Sequence, residues 1–245
     1  MTLDPALFGP GQARDHRFVV CDRWNELVNN PPTSDASRRE FLHRQMNEEA
    51  NVMEQAAQSL VDFPTADWDI RMWLARQCAD EARHVQLYLR VMQARGIAIG
   101  EYPVINFQFR VLTRIDSLAG RLAVENRTFE ADGLDAATFG VEEAQARGEE
   151  DMATLLDTQQ ADEIVHVGFA NAWIRRQIEL DPRTLLRMAT ALTQAAKAFA
   201  IAFEGGGAVR YPVAGAERRE AGFNPSEIET AARLADQRRG QTEGT

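Results

Sequence analysis

Cysteine is scarce in this 245-residue chain: Cys21 and Cys78 are the only two. Two are too few for a disulfide framework, and they fit a reducing cytoplasm, the location expected for the protein. Long apolar runs are missing as well. No stretch reaches the roughly 18 consecutive apolar residues that mark a transmembrane helix, so no membrane span is expected. The opening residues Met1 to Pro10 lack a basic stretch followed by an apolar one, which argues against a secretory leader. Positive charge is in deficit. With 27 Lys and Arg against 37 Asp and Glu, the formal net charge is −10. That balance disfavours a broad nucleic-acid or anionic-membrane surface. No flavin or nicotinamide fingerprint occurs, and no strand pattern competes with helix anywhere.

What the chain has in quantity is helix-compatible sequence. Apolar residues make up 44% and charged residues 26%, ordinary values for a globular core. Residues 1–33 form an N-terminal extension that ends in the helix-start signal Pro31-Pro32-Thr33-Ser34-Asp35. A first helix is predicted from Ala36 to about Asp62, with an apolar stripe through Leu42, Met46, Glu49, Met53, Ala56 and Leu60. Phe63-Pro64-Thr65 reads as a turn, and a second helix runs from about Ala66 to Arg95, stopped by Gly96. After the connection 96–105, a third helix spans about Asn106 to Asp132 and stops at Gly133. Leu134 to Gly148 reads as a short helix and a turn. A fourth helix covers about Glu149 to Leu180, and a fifth about Arg183 to Phe203. Residues 204–245 form a tail with a short helix from Pro225 to Arg239 and a disordered end. The expected fold class is all-α: a four-helix bundle over 34–203 with one long crossover, plus an additional C-terminal helix and tail.

Chemistry concentrates around two of the four histidines. Asp80-Glu81-Ala82-Arg83-His84 and Asp162-Glu163-Ile164-Val165-His166 are both Asp-Glu-x-x-His, and both fall in mid-helix. About 0.02 such motifs are expected by chance in this composition, and two together have a likelihood on the order of 10⁻⁴. On a helix, residues three apart share a face, so Glu81 with His84, and Glu163 with His166, can each hold one ion. Carboxylate oxygen with imidazole nitrogen suits iron or manganese. Two such helices, plus one Glu from each of two others, make a dimetal site in a bundle core. A lone Glu-x-x-His is more often a satisfied core pair; the duplication is what points to metal.

The other two carboxylates follow from pattern. Glu49 lies on the apolar stripe of the first helix, where an unpaired carboxylate costs several kcal/mol; its neighbour Glu48 lies on a more polar row. The midpoint of Glu49 and Glu81 is residue 65, inside the turn, as an antiparallel pair requires. On the third helix, Glu130 and Glu163 have their midpoint beside Gly148, which favours Glu130. The periodicity of Ile115, Leu118, Leu122 and Phe129 favours Glu125 instead, so Glu125 stands as the alternative.

The strings Glu49-Ala-Asn-Val-Met-Glu54, Asp80-Glu-Ala-Arg-His84, Arg127-Thr-Phe-Glu-Ala-Asp-Gly-Leu-Asp135 and Asp162-Glu-Ile-Val-His-Val167 resemble, in order, the motifs of an uncharacterised ferritin-like family related to the tRNA-hydroxylating di-iron monooxygenases. The tail string Arg219-Glu-Ala-Gly-Phe223 is similar to that family too. The resemblance runs from about residue 36 to 225. It implies a ferritin-like bundle with Glu49, Glu81, His84, Glu130, Glu163 and His166 as metal ligands. It also implies that Asp80 and Asp162 hydrogen-bond the ligand histidines and fix their tautomers.

The functional expectation is a non-haem di-iron oxygenase or oxidase that activates dioxygen, as co-substrate, to hydroxylate or otherwise oxidise a small molecule. The cofactors are two iron ions, with Mn/Fe as a variant, and electrons come from a separate reductase. No catalytic residue beyond the metal site is singled out. Val52, Met53, Cys78, Val85, Tyr88, Phe129 and Val167 are the candidate pocket lining; Cys78 and Tyr88 equally suit plain core packing. The alternatives are a tRNA-base hydroxylase, a ferroxidase or iron-binding protein without organic substrate, and a metal-free helical scaffold. A homodimer is expected by analogy of fold alone.

Overall fold

A computed structural model describes residues 3–27, 30–31, 34–203 and 211–242, with side chains to residue 236. The Pro32-Thr33 part of the helix-start signal, the Gly-rich run after Phe203 and residues 243–245 lie outside the described residues; of the end expected to be disordered, residues 240–242 instead continue the last helix. The chain is predominantly helical and divides into two compact units. The first comprises Met1–Leu118 and Thr190–Gly206, the second Ala119–Ala189 and Gly207–Thr245. Among the described residues, no helix is long and apolar enough to cross a membrane.

In the first unit, α1 (Asp35–Asp62) packs against α2 (Trp68–Ala94). Ser34 caps α1 by accepting the Ser37 N–H at 3.1 Å, which satisfies one of the donors that every helix start leaves open. At the other end, the Arg71 guanidinium donates to the carbonyls of Leu60 (2.9 Å) and Phe63 (3.0 Å). The α2 helix thereby closes the last turn of α1 and fixes the hairpin. Two short parallel strands, β1 (Val20–Cys21) and β2 (Val104–Ile105), tie the N-terminal segment to the connection after α2. Each is only two residues long, too short to leave an alternating pattern, and the strand-free expectation is corrected to that extent. A short α3 (Phe107–Leu112) follows. Phe203 stacks on Trp24 (centroids 5.0 Å apart) and on Phe199 (4.2 Å), and Phe107 meets Phe199 and Phe203 edge-on at 5.8 and 5.0 Å.

The third helix differs from expectation at both ends. It is interrupted at residues 113–117, where Arg114 and Ile115 bond back only three residues, to Val111 and Leu112. Asp116-Ser117 then precedes α4 (Leu118–Val124); such residues favour helix starts over helix interiors. A π-helical turn (Glu125–Phe129) leads into α5, which runs from Glu130 through Gly133 to Ala146. Glycine inside a helix costs only about 1 kcal/mol, and Gly133 is held in an unbroken run. The stop is Gly148, whose φ of +69° allows the closing bonds from Gly148 N–H to Gln145 O and from Glu149 N–H to Ala144 O.

In the second unit α5 packs on α6 (Glu150–Leu180). Asp181-Pro182 ends α6, and α7 (Thr184–Ala202) starts in this unit, its residues from Thr190 on belonging to the first. The tail holds α8 (Gly215–Glu220), which the sequence reading did not foresee, and α9 (Pro225–Thr242), which begins at the expected proline and runs slightly longer. Ala131, Leu134, Val167, Ala221 and Phe223 form a buried cluster that seats the tail on α5 and α6.

Candidate metal centre

Each unit contains one buried cluster of two carboxylates and one imidazole. In the first unit, Glu49 comes from the middle of α1, and Glu81 and His84 come from successive turns of α2. Since α1 and α2 form a hairpin about residues 63–67, Glu49 and Glu81 stand at the same height. His84 Nδ1 lies 3.0 Å from Glu49 Oε2 and 2.9 Å from Glu81 Oε2. In the second unit, Glu130 opens α5 while Glu163 and His166 share one face of α6. His166 Nδ1 lies 3.5 Å from Glu163 Oε2. Within each cluster the ligand-type atoms lie within 4.8 Å of one another. None of the six residues is more than 5% exposed.

Such burial needs a counter-charge. Two carboxylates taken out of water cost several kcal/mol each unless a cation or donors face them. Glu163 Oε2 is buried and accepts no hydrogen bond. An oxygen and nitrogen donor set of this kind fits a divalent transition ion, so each cluster could hold a metal.

The two candidate carboxylates of the third helix are connected by the π turn. Glu130 N–H bonds Glu125 O, five residues back. Both carboxylates are buried, and the wide turn between them departs from ordinary helical spacing, so periodicity and turn symmetry need not agree about them. Glu130 is the one grouped with Glu163 and His166. Within the same turn, Asn126 Nδ2 donates to the His166 carbonyl at 3.2 Å, locking the irregular turn onto the helix that carries the histidine. Single π turns inside α-helices occur disproportionately at functional sites.

Of the residues expected around the ligands, Asp80 is buried and ion-pairs with Arg76 and Arg83, each at 3.3 Å, and Asp162 is half-buried. Tyr88 and Val167 are fully buried, while Val52, Met53, Val85 and Phe129 are half-buried. Cys78 is half-buried with Sγ 3.6 Å from the Met53 carbonyl, and burial pushes its thiol pKa up. Glu48 is half-buried; burial pushes its carboxyl pKa up, against the opposing pull of Gln108 and Arg44.

Sequence reasoning missed a polar stripe on α1. Asn47, Asn51 and Glu54, spaced i, i+4 and i+7, all bond Arg14 of the N-terminal segment. The spacing itself was the available signal, because three polar residues in one row of a buried helix need partners.

Residues 10–229 match the family described as "Protein of unknown function (DUF455)". No curated protein and no solved structure gives a significant match.

Proposed function

The chain belongs to the DUF455 family, and we propose that it is a dimetal-carboxylate oxidoreductase of ferritin-like architecture. In this reading the α1/α2 hairpin and the α5/α6 hairpin are the halves of a four-helix bundle. Glu49, Glu81, His84, Glu130, Glu163 and His166 together hold two ions. The observation that carries the proposal is the duplication: the same buried Glu, Glu and His cluster, built on the same Asp-Glu-x-x-His motif, occurs once in each unit.

Two physical arguments support it. Ligand atoms on adjacent positions of a six-coordinate ion with bonds of about 2.1 Å lie about 3.0 Å apart. The contacts of His84 Nδ1, at 3.0 and 2.9 Å, have that spacing. Charge balance points the same way. Four carboxylates carry −4, two divalent ions carry +4, and the neutral sum is what a buried site requires.

Two bound iron ions, or a Mn/Fe pair, would supply dioxygen activation and substrate oxidation. The chain's own contribution is positioning and dryness. The i, i+3 pairs fix each histidine against its carboxylate, and the buried setting keeps bulk water out. No flavin or nicotinamide motif occurs in the chain, so electrons come from a separate donor. The net charge of −10 favours a small-molecule substrate over tRNA.

The test is to load the protein with ferrous iron anaerobically, reduce it, and admit oxygen. The proposal predicts oxygen uptake with an oxygen-dependent absorbance change, both lost in Glu81→Gln. Iron that binds but stays inert to oxygen would overturn it.

A further inference from the structure

A π turn inside an α-helix is uncommon, and its persistence calls for partners outside the helix. The turn at Glu125–Phe129 has such partners within the second unit, on two successive residues. Asn126 bonds the His166 carbonyl of α6 at 3.2 Å. Arg127 donates through Nη2 to Glu227 Oε1 in the first turn of α9, and its guanidinium lies 5.2 Å from the centre of the Phe223 ring. Neighbouring helical residues do not share a face, so the turn is gripped in two directions, by α6 and by the tail.

Glu227 is a fixed anchor rather than a loose surface acid. Its Oε2 accepts the Asn224 N–H at 2.8 Å while Asn224 Oδ1 accepts the Glu227 N–H at 3.0 Å. This reciprocal pair opens α9 and leaves Oε1 to Arg127. Burial works against the Glu227 charge, but the Asn224 N–H and the Arg127 guanidinium outweigh it and hold the pKa below the ordinary value.

The segment just before Glu227 is fastened to α6. Asn171 Nδ2 donates to the Ala221 carbonyl at 2.8 Å, and Arg175 donates to the Gly222 carbonyl. Ala221 and Phe223 are buried in one cluster with Ala131 and Val167, which directly follow Glu130 and His166 in the chain. The tail thus packs beside two candidate ligands, and its ion pair reaches the turn that closes with the bond from Glu130 N–H to Glu125 O.

We infer that Arg127 and Glu227 are positioning residues: their ion pair makes the α8–α9 tail a strap that holds the π turn closed and so sets the Glu130 carboxylate for the ion of the second unit. The inference rests on the metal reading for the ion, and on the hydrogen bonds alone for the turn.

Two variants of the full-length protein test it. In Glu227→Gln the one remaining oxygen serves the α9 cap, which takes glutamine as readily as glutamate, and an amide NH2 faces the guanidinium. Arg127→Met removes the pair from the other side and keeps bulk over the Phe223 ring. Amide hydrogen exchange of the metal-free protein should quicken at least about fivefold over the π turn and Glu130 in each variant, while residues 138–146 keep their rates. That factor is the loss of a charged hydrogen bond, discounted because the pair is partly exposed. Cobalt(II) titration followed by visible absorbance should show one of the two ions bound about tenfold more weakly, the lower end of what losing an outer partner costs a metal site. The double variant should be no worse than either single one, because the pair acts as a unit. Unchanged exchange over the turn would overturn the inference. So would faster exchange with unaltered cobalt affinity, which would leave the pair a stabiliser of the fold only. Should the unaltered protein bind no cobalt, the metal reading falls, and the exchange result alone decides whether the pair holds Glu130.

Discussion

Replacing Asp135 by alanine strips the main partner from Arg218, a guanidinium that is only 5% exposed. In the intact protein Arg218 Nε donates to Asp135 Oδ1 at 2.9 Å and Nη2 to Oδ2 at 2.6 Å, a two-pronged pairing. The same carboxylate accepts the Ala214 N–H at 2.9 Å, so one side chain fastens the start of α8 to α5. Burial works against the Arg218 charge, but Asp135 outweighs it and holds the pKa above the usual value. Breaking one side of a buried pair costs about 3–5 kcal/mol, because the remaining charge is left without compensation. Asp132, at 3.2 Å and half exposed, would offset part of this, which places the expected loss near the lower end, about 3 kcal/mol. For a chain of this size each kcal/mol lowers the melting temperature by about 2–4 °C, so a drop of roughly 6–12 °C is expected. Urea and thermal denaturation followed by circular dichroism would measure it. The double variant Asp135→Leu with Arg218→Met should recover most of the loss, since apolar replacement of a whole buried pair is often close to neutral. A loss below about 1 kcal/mol in Asp135→Ala, or a double variant as unstable as the sum of the singles, would refute the reasoning.

Three further outcomes are expected. Gly100 has a φ of +83°, and an added Cβ would stand 2.2 Å from the Arg17 carbonyl oxygen. Gly100→Ala should therefore cost about 2 kcal/mol or more in urea unfolding. His43 is buried and accepts the Gly100 N–H through Nε2 at 2.8 Å. Burial lowers its pKa below 6.5, against the smaller opposing effect of Glu101. The folded state thus favours neutral His43, and its contribution is complete above about pH 6.5 and lost as pH falls through the depressed folded value. In stability measured against pH, that acid-side decline should be smaller in His43→Gln. Leu134 is fully buried against Val167 and Phe223, and Leu134→Ala should cost about 2–5 kcal/mol in the same denaturation assay.

The long helices were readable because their apolar stripes repeat over many turns and their ends carry local signals, such as Ser34 and Pro182. The duplicated Asp-Glu-x-x-His motif was readable for a different reason: its chemistry lies within four residues of one helix. Features set by distant partners were not. The break before Asp116 and the π turn at Glu125 depend on how the helix meets its neighbours, as the bond from Asn126 to the His166 carbonyl shows. Gly133 looked like a stop because glycine alone does not reveal the sign of φ, and it is Gly148 that takes the positive value. α8 went unseen because a six-residue helix carries no periodicity of its own and is held by Arg218 and Asp135, 83 residues apart. The stripe of Asn47, Asn51 and Glu54 was visible, but its partner Arg14 lies in a segment without regular pattern.

The central claim is tested most directly by counting metal in the purified protein after anaerobic iron loading. The account predicts about two ions per chain, with His84→Ala and His166→Ala each retaining at most about one while keeping wild-type helix content. No bound metal in the unaltered protein, or two ions retained in both variants, would contradict it.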